Sequence, residues 1–299
     1  MHKVVVINMI RYKRPLPDIQ EAGRAIEHMC TSCKEEDFYC KYTPQMVTTN
    51  EFYQLRDMEP YITSGAKVLT VCGPGEQPIF IKSYGAGDVV TFDISYHSYL
   101  LTSLKIAALQ SFDDTKDYRK FIDILYNKPS DLLTNPFMYN VVKKLNKVEK
   151  NYLFKAADTA THIFWSAQSC YFYTMPQEYY NNVRNSVKKP FPFIWTNITE
   201  LGDKLKIANS KTGKYNAFDI IDYSNILEFM QPYYIRQVLE DTINFMNPDC
   251  KLFLTVRNKE ERIDLIKCAV DDVYNSSEWA IELQPEKQGF RQFIIQRAR

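Results

Sequence analysis

Two short apolar runs, each ended by turn-forming or acidic residues, constrain this chain most. Val68–Cys72 (VLTVC) stops at Gly73-Pro74-Gly75, and Val89–Asp93 (VVTFD) follows the turn formers Gly85 and Gly87. Runs of about five apolar residues bounded by glycine read as buried strands. Behind the second, the spacing predicts a helix (YHSYLLTSLKIAALQ) with Leu100, Leu101, Leu104, Ala107 and Ala108 on one face. Ser95 is its expected N-cap. From Ser111 to Phe191 the alternation stops, and this stretch of roughly 80 residues is too long for a plain loop. It reads as mostly helical. Alternation then resumes: FIWTNI and AFDIIDYSNIL hold strands, Pro232 to Met246 is a helix, KLFLTVRN a strand, and Glu261 to Val273 a helix. WAIELQ and FRQFIIQRA close the chain as two more strands. Strands alternating with helices in this way predict an α/β fold, a parallel sheet covered on both faces. The expected organisation is an N-terminal helical extension over 1–66, a parallel-sheet domain from 67–110 and 192–299, and a helical insertion over 111–191. Within the extension, VVVIN reads as a strand, and Ile19 to Cys30 and Asn50 to Tyr61 as short helices.

In a doubly wound sheet, ligands lie beyond the carboxyl ends of the strands. Gly73 and Gly75 fall there, and Asp93 ends the next strand, where a carboxylate can accept hydrogen bonds from ribose hydroxyls. The alternatives are a simple tight turn for the glycines and a helix cap for Asp93. The dinucleotide pattern G-x-G-x-x-G is broken, because Pro78 holds its third glycine position. No Gly-Lys-Ser/Thr follows, so the phosphate loop of nucleotide hydrolases is also absent. Adenosine with a small charged tail fits better than a pyrophosphate.

These residues resemble the class I S-adenosylmethionine-dependent transferases. VLTVCGPGEQ stands at their first motif, VVTFD at the second, AFDIIDYSNIL at the fourth strand and KLFLTVRN at the fifth. WAIELQ and FRQFIIQRA are similar to the antiparallel pair that closes that fold. The fold expected is therefore a Rossmann-like class I methyltransferase fold. More narrowly, Leu104 to Ala108 (LKIAA) and Tyr223-Ser224-Asn225-Ile226 resemble the S-adenosylmethionine:diacylglycerol 3-amino-3-carboxypropyltransferases of betaine-lipid synthesis, which carry a long helical insertion after the strand-end Asp. The resemblance implies S-adenosylmethionine as co-substrate. Cys72, Gly73, Gly75, Glu76, Gln77, Asp93, Ile94, Asp222, Ser224 and Asn225 are its expected contacts. The acidic residue usual near the end of the first strand is missing, since Thr70 and Val71 stand there. Glu76 or Gln77 is the expected substitute for gripping the amino-acid tail.

A hydroxyl or amine acceptor benefits from a base in reach. Asp222 is the first candidate, with Ser224 beside it, while Asp219 reads as structural. Transfer of the 3-amino-3-carboxypropyl group would release methylthioadenosine. Methyl transfer to a small molecule from the same pocket is the rival reaction, and a non-catalytic binding protein on the same fold is the rival of a different class. His97 and His162 read as solvent-facing and structural, and Cys72 as a small buried residue rather than a nucleophile. His28, Cys30, Cys33 and Cys40 are irregularly spaced for zinc, which needs four placed ligands, so no metal is expected. The insertion concentrates Tyr152, Phe154, Phe164, Trp165, Tyr171, Phe172, Tyr173, Tyr179 and Tyr180, which either recognise the acceptor or pack a core of their own.

Charge narrows the partners. The 37 basic and 36 acidic residues leave a formal charge of +1, and nucleic-acid binding needs a basic face. The expected partner is a small-molecule or lipid acceptor and no nucleic acid. No run reaches the ~20 apolar residues of a membrane span. VVVINMIRYKR offers at most a transient contact with an anionic membrane surface. Seven cysteines and no secretory pattern lead us to expect a cytoplasmic protein.

Overall fold

A computed structural model describes residues 56–298, apart from 95, 128, 148, 151–152, 154–174, 214, 216 and 288. Seven strands form one sheet in the order β3-β2-β1-β4-β5-β7-β6. They are β1 Lys67–Val71, β2 Asp88–Asp93, β3 Phe193–Trp195, β4 Phe218–Asp222, β5 Met246–Arg257, β6 Trp279–Leu283 and β7 Phe290–Arg297. β1 to β5 are parallel neighbours, and β7 runs antiparallel between β5 and β6. This is the Rossmann-like sheet, closed by an antiparallel pair, that the sequence leads us to expect. The chain builds outward from β1 to β3, then returns to place β4 on the other side of β1. The topological switch point therefore lies between β1 and β4, where such folds form a crevice.

Helices cover both faces. Val68, Val89, Ile220, Phe253 and Ile294 point to one face and share a core with α1 (Glu76–Ser83), α2 (Tyr96–Leu109) and α3 (Thr115–Asn127). The same core takes in α4 (Tyr139–Lys144) and α5 (Gln177–Ser186). Leu69, Phe92, Ile221, Leu254 and Ile295 face the other way, onto α6 (Leu201–Thr212), α7 (Pro232–Ile243) and α8 (Glu260–Val273). The alternation along each strand is what sends neighbouring residues to opposite cores.

Three local features differ from the sequence reading. α1 is a helix where none is expected. Pro78 falls in its first turn, where a missing N–H breaks no intrahelical bond. α2 is buried on all sides, Ile106 and Leu109 included, rather than on one face. It lies between the sheet and the helices that follow it, so no face is left for water. α7 stops at Ile243, short of the expected Met246, because Phe218 N–H takes the carbonyl of Phe245 and draws the chain into the sheet. Ser95, the side chain of His97, His162, and the expected strand and helix before residue 50 lie outside the described residues.

The helices between α2 and β3 belong to the core above the first face. Tyr118 and Tyr180 are fully buried, with ring centroids 5.4 Å apart, and Tyr180 donates to the carbonyl of Phe112 at 2.9 Å. Tyr179 stacks on Phe80 of α1 at 5.9 Å. Asn146 and Glu149 bond each other reciprocally, the arrangement of a capping box. The buried Glu149 also accepts from Tyr99 and Ser103 of α2 at 3.0 and 2.9 Å, so a local cap doubles as a tie between elements. Of the nine aromatic residues expected either to recognise the acceptor or to pack a core of their own, Tyr179 and Tyr180 are described, and both pack.

Candidate functional site

The glycine turn after β1 is held from three sides. Asp93, half-buried at the end of β2, accepts from Gly73 N–H at 2.9 Å. Lys105 of α2 is wholly buried; it donates to the carbonyl of Pro74 at 2.7 Å and pairs with Glu76. Gly75 has φ +98°, and a Cβ there would meet Thr102 Oγ1 at 2.6 Å and Thr102 Cα at 2.8 Å. Glycine is thus required twice at this position: for its left-handed backbone and for the close approach of α2. The turn is more than a reversal, since a carboxylate and an ammonium group each clamp it.

A second network lies beside it, across the switch point. Thr70 of β1 and Asp222 of β4 are register partners. Thr70 donates to Asp222 Oδ2 at 3.2 Å, and Gln77 of α1 donates to that same oxygen and to Thr70 Oγ1, the latter at 2.6 Å. Asp222 Oδ1 accepts from Ser224 N–H at 2.8 Å. Burial pushes the Asp222 carboxyl up to about 7, against the opposing pull of the Ser224 N–H and the Thr70 hydroxyl. Ser224 sits at φ 49°, a left-handed backbone that a non-glycine residue adopts at a cost. The bond from its N–H to Asp222 and the bond from Thr255 N–H to its carbonyl, 2.8 Å, hold it there.

The expected contacts therefore gather at the carboxyl ends of β1, β2 and β4. Gly73 meets Asp93, Gln77 meets Asp222, and Glu76 turns to Lys105 instead of joining them. Cys72 is buried against Thr102 at 3.2 Å, and burial raises its thiol pKa, so it is a packed residue and a poor nucleophile. The carbonyl of Ile94 accepts from the Trp195 indole at 2.7 Å, which pins the chain after β2. Asn225 leads the 3-10 turn Ile226–Phe229. Asp219 is structural, as expected, accepting from Lys67 N–H at 2.8 Å and from Asn247. Sequence reasoning missed Lys105 and Thr70 as parts of the site. Lys105 carried a signal, one charge inside the apolar stretch from Leu104 to Leu109.

His28, Cys30, Cys33 and Cys40 lie outside the described residues. Among the described residues no cluster of three or more His, Cys, Asp or Glu side chains is placed to hold a metal ion. Among the same residues no helix is long and apolar enough to cross a membrane.

No known family matches the sequence, and no curated protein is similar to it. Similar solved structures include the ribosomal protein L11 methylase of Lactobacillus delbrueckii subsp. bulgaricus, at 12% identity over 86% of this chain and 83% of that one, with a TM-score of 0.40. The N-methyltransferase NodS of Bradyrhizobium japonicum, in complex with S-adenosyl-L-homocysteine, is 7% identical over 94% and 98% of the two chains, with a TM-score of 0.40. An rRNA methylase of Streptococcus thermophilus is 9% identical over 85% and 99%, with a TM-score of 0.41. Likeness at this level does not bear on what this chain binds.

Proposed function

We propose that this chain is an S-adenosylmethionine-dependent transferase. The observation that carries the reading is the join of Gly73 and Asp93 at the carboxyl ends of β1 and β2, beside the switch point of the sheet. A glycine turn and a strand-end carboxylate at that point match a nucleoside with a charged tail. The residues present fit such a co-substrate: Asp93 beside the turn suits ribose hydroxyls, and Asp222 with Gln77 supplies polar groups next to the turn. Asp222 lies directly across from Thr70, the residue that stands where an acid is usual. It brings a carboxylate back to that level from the neighbouring strand.

The sulfonium centre of S-adenosylmethionine supplies an activated carbon whose leaving group is a neutral thioether. The chain's own contribution is alignment, worth several kcal/mol when the reacting atoms are held in place, and a proton acceptor near neutrality. Asp222 is suited to the second role, since burial brings its carboxyl close to the working pH. Transfer of the 3-amino-3-carboxypropyl group to a hydroxyl or amine is the specific reaction we favour. It is supported by the likeness of Leu104 to Ala108 and Tyr223 to Ile226 to the betaine-lipid transferases.

Asp93→Ala is expected to abolish S-adenosylmethionine binding in calorimetric titration while the far-UV spectrum of the fold is kept. Unchanged affinity would remove Asp93 from the site. Mass spectrometry of the nucleoside by-products, with wild type and Asp93→Ala incubated in cell extract, tests the reaction. Methylthioadenosine marks the favoured transfer, S-adenosylhomocysteine marks methylation, and neither product with intact binding points to a non-catalytic protein.

A further inference from the structure

Beyond Asp222, the first face of the sheet carries polar residues that the reading above leaves unused. On β5 and β7, Phe253 and Ile294 belong to the same core as Ile220, whereas Leu254, Val256, Phe293 and Ile295 belong to the opposite one. Period-two alternation then puts Thr255 and Gln292 on the face that carries Asp222. Thr255 and Gln292 are register partners. Thr255 N–H bonds the carbonyl of Ser224 at 2.8 Å, which ties this pair to the turn that follows Asp222. Two residues further along β5, Arg257 pairs with Glu228 at 3.3 Å, and Glu228 belongs to the 3-10 turn behind that same segment.

Gln292 is 2% exposed and Glu228 3%. The amide nitrogen and oxygen of Gln292 are both buried without a hydrogen-bond partner, and so is Glu228 Oε2. A buried polar atom with no partner destabilises the fold, and native chains hold few of them. Two of the three atoms are on β7 and the third is in the turn that follows Asp222 and Ser224, which Arg257 joins to β5.

We propose that Glu228 and Gln292 form the subsite that binds the polar end of the acceptor, a small amino alcohol or polyol; this rests on the transferase reading. The chemistry follows from the three atoms. Glu228 Oε2 and Gln292 Oε1 each accept, and Gln292 Nε2 donates. Their complement is a molecule that donates at two points and accepts at one, as neighbouring hydroxyl and amine groups do. A hydrocarbon group there would leave all three atoms buried and unpaired.

The test compares wild type, Gln292→Met and Glu228→Gln in three measurements: thermal melting without ligand, calorimetric titration with S-adenosylmethionine, and by-product release with the dialysable fraction of a cell extract as acceptor. Gln292→Met is expected to melt above wild type, since it removes an unsatisfied amide and keeps the volume. It should bind S-adenosylmethionine within about twofold of wild type and slow by-product release by about tenfold or more, mainly through a higher half-saturating amount of extract. Glu228→Gln should slow release in the same way. A lower melting point for Gln292→Met would make the residue structural and overturn the subsite. Equal release by wild type and both variants would overturn it too, and so would loss of S-adenosylmethionine binding by Gln292→Met alone, which would put the residue in the co-substrate pocket. Failure of wild type itself to bind S-adenosylmethionine would bring down the transferase reading first, and the acceptor assignment with it.

Discussion

Lys105→Met is expected to cost about 3–5 kcal/mol of folding stability, the usual consequence of removing one partner of a buried ion pair. Lys105 has no exposed side-chain surface, and Glu76, its partner, is 11% exposed. Methionine fills the volume but leaves the Glu76 carboxylate and the Pro74 carbonyl without the ammonium they face. The glycine turn loses one of its clamps, so S-adenosylmethionine affinity should fall in parallel with stability. The double variant Lys105→Met/Glu76→Leu separates the two effects. An apolar pair of similar volume often replaces a buried ion pair at little cost, so most of the stability should return. The affinity should not return, because Pro74 remains untied. Urea unfolding measures the first quantity and calorimetry the second. A loss below about 1 kcal/mol in the single variant, the range of exposed pairs, would mean that water reaches Glu76 and that the clamp is not built on a buried charge.

The LKIAA segment thereby acquires a physical explanation. Leu104, Ala107 and Ala108 let α2 lie tightly on its neighbours, and Lys105 reaches from that helix to the turn after β1. What the sequence made legible was local. Apolar strand runs, the glycine turn and the strand-end Asp93 are each visible within a few residues, and all three stand where they were expected. The contacts that complete the site are not local. Thr70 and Asp222 are 152 positions apart, and only the pairing of β1 with β4 makes them partners. The same holds for Gln292, whose neighbourhood depends on β7 lying between β5 and β6. The all-round burial of α2 was hidden for a similar reason. Ser98, Thr102, Ser103 and Lys105 mark a polar face by composition, yet each is buried. Thr102 packs under Gly75, and Ser103 and Lys105 find carboxylates.

Asp222 gives the second large effect, and its sign runs against that of catalysis. Burial raises its carboxyl from the ordinary carboxylate range to about 7 in the folded protein. A raised folded-state pKa means that the folded chain holds this proton more tightly than the unfolded chain does. The stability it contributes is fully present below the unfolded value, about 4, and is lost as pH rises through about 7. Over that window the loss is on the order of 4 kcal/mol, since each pH unit between the two values is worth about 1.4 kcal/mol. Asp222→Asn cannot ionise, so its stability relative to wild type should climb by about that amount between pH 4 and pH 8, as read by guanidinium unfolding. A difference that stays flat with pH would mean that Gln77, Thr70 and Ser224 keep the carboxylate charged throughout. Transfer, by contrast, needs Asp222 deprotonated to accept the acceptor's proton, so turnover should rise through the same pH range in which stability falls. The cost of charging a buried group would then be what tunes the base to neutral pH. In Asp222→Asn both trends should vanish together, leaving a protein that is more stable at pH 8 and slow at every pH.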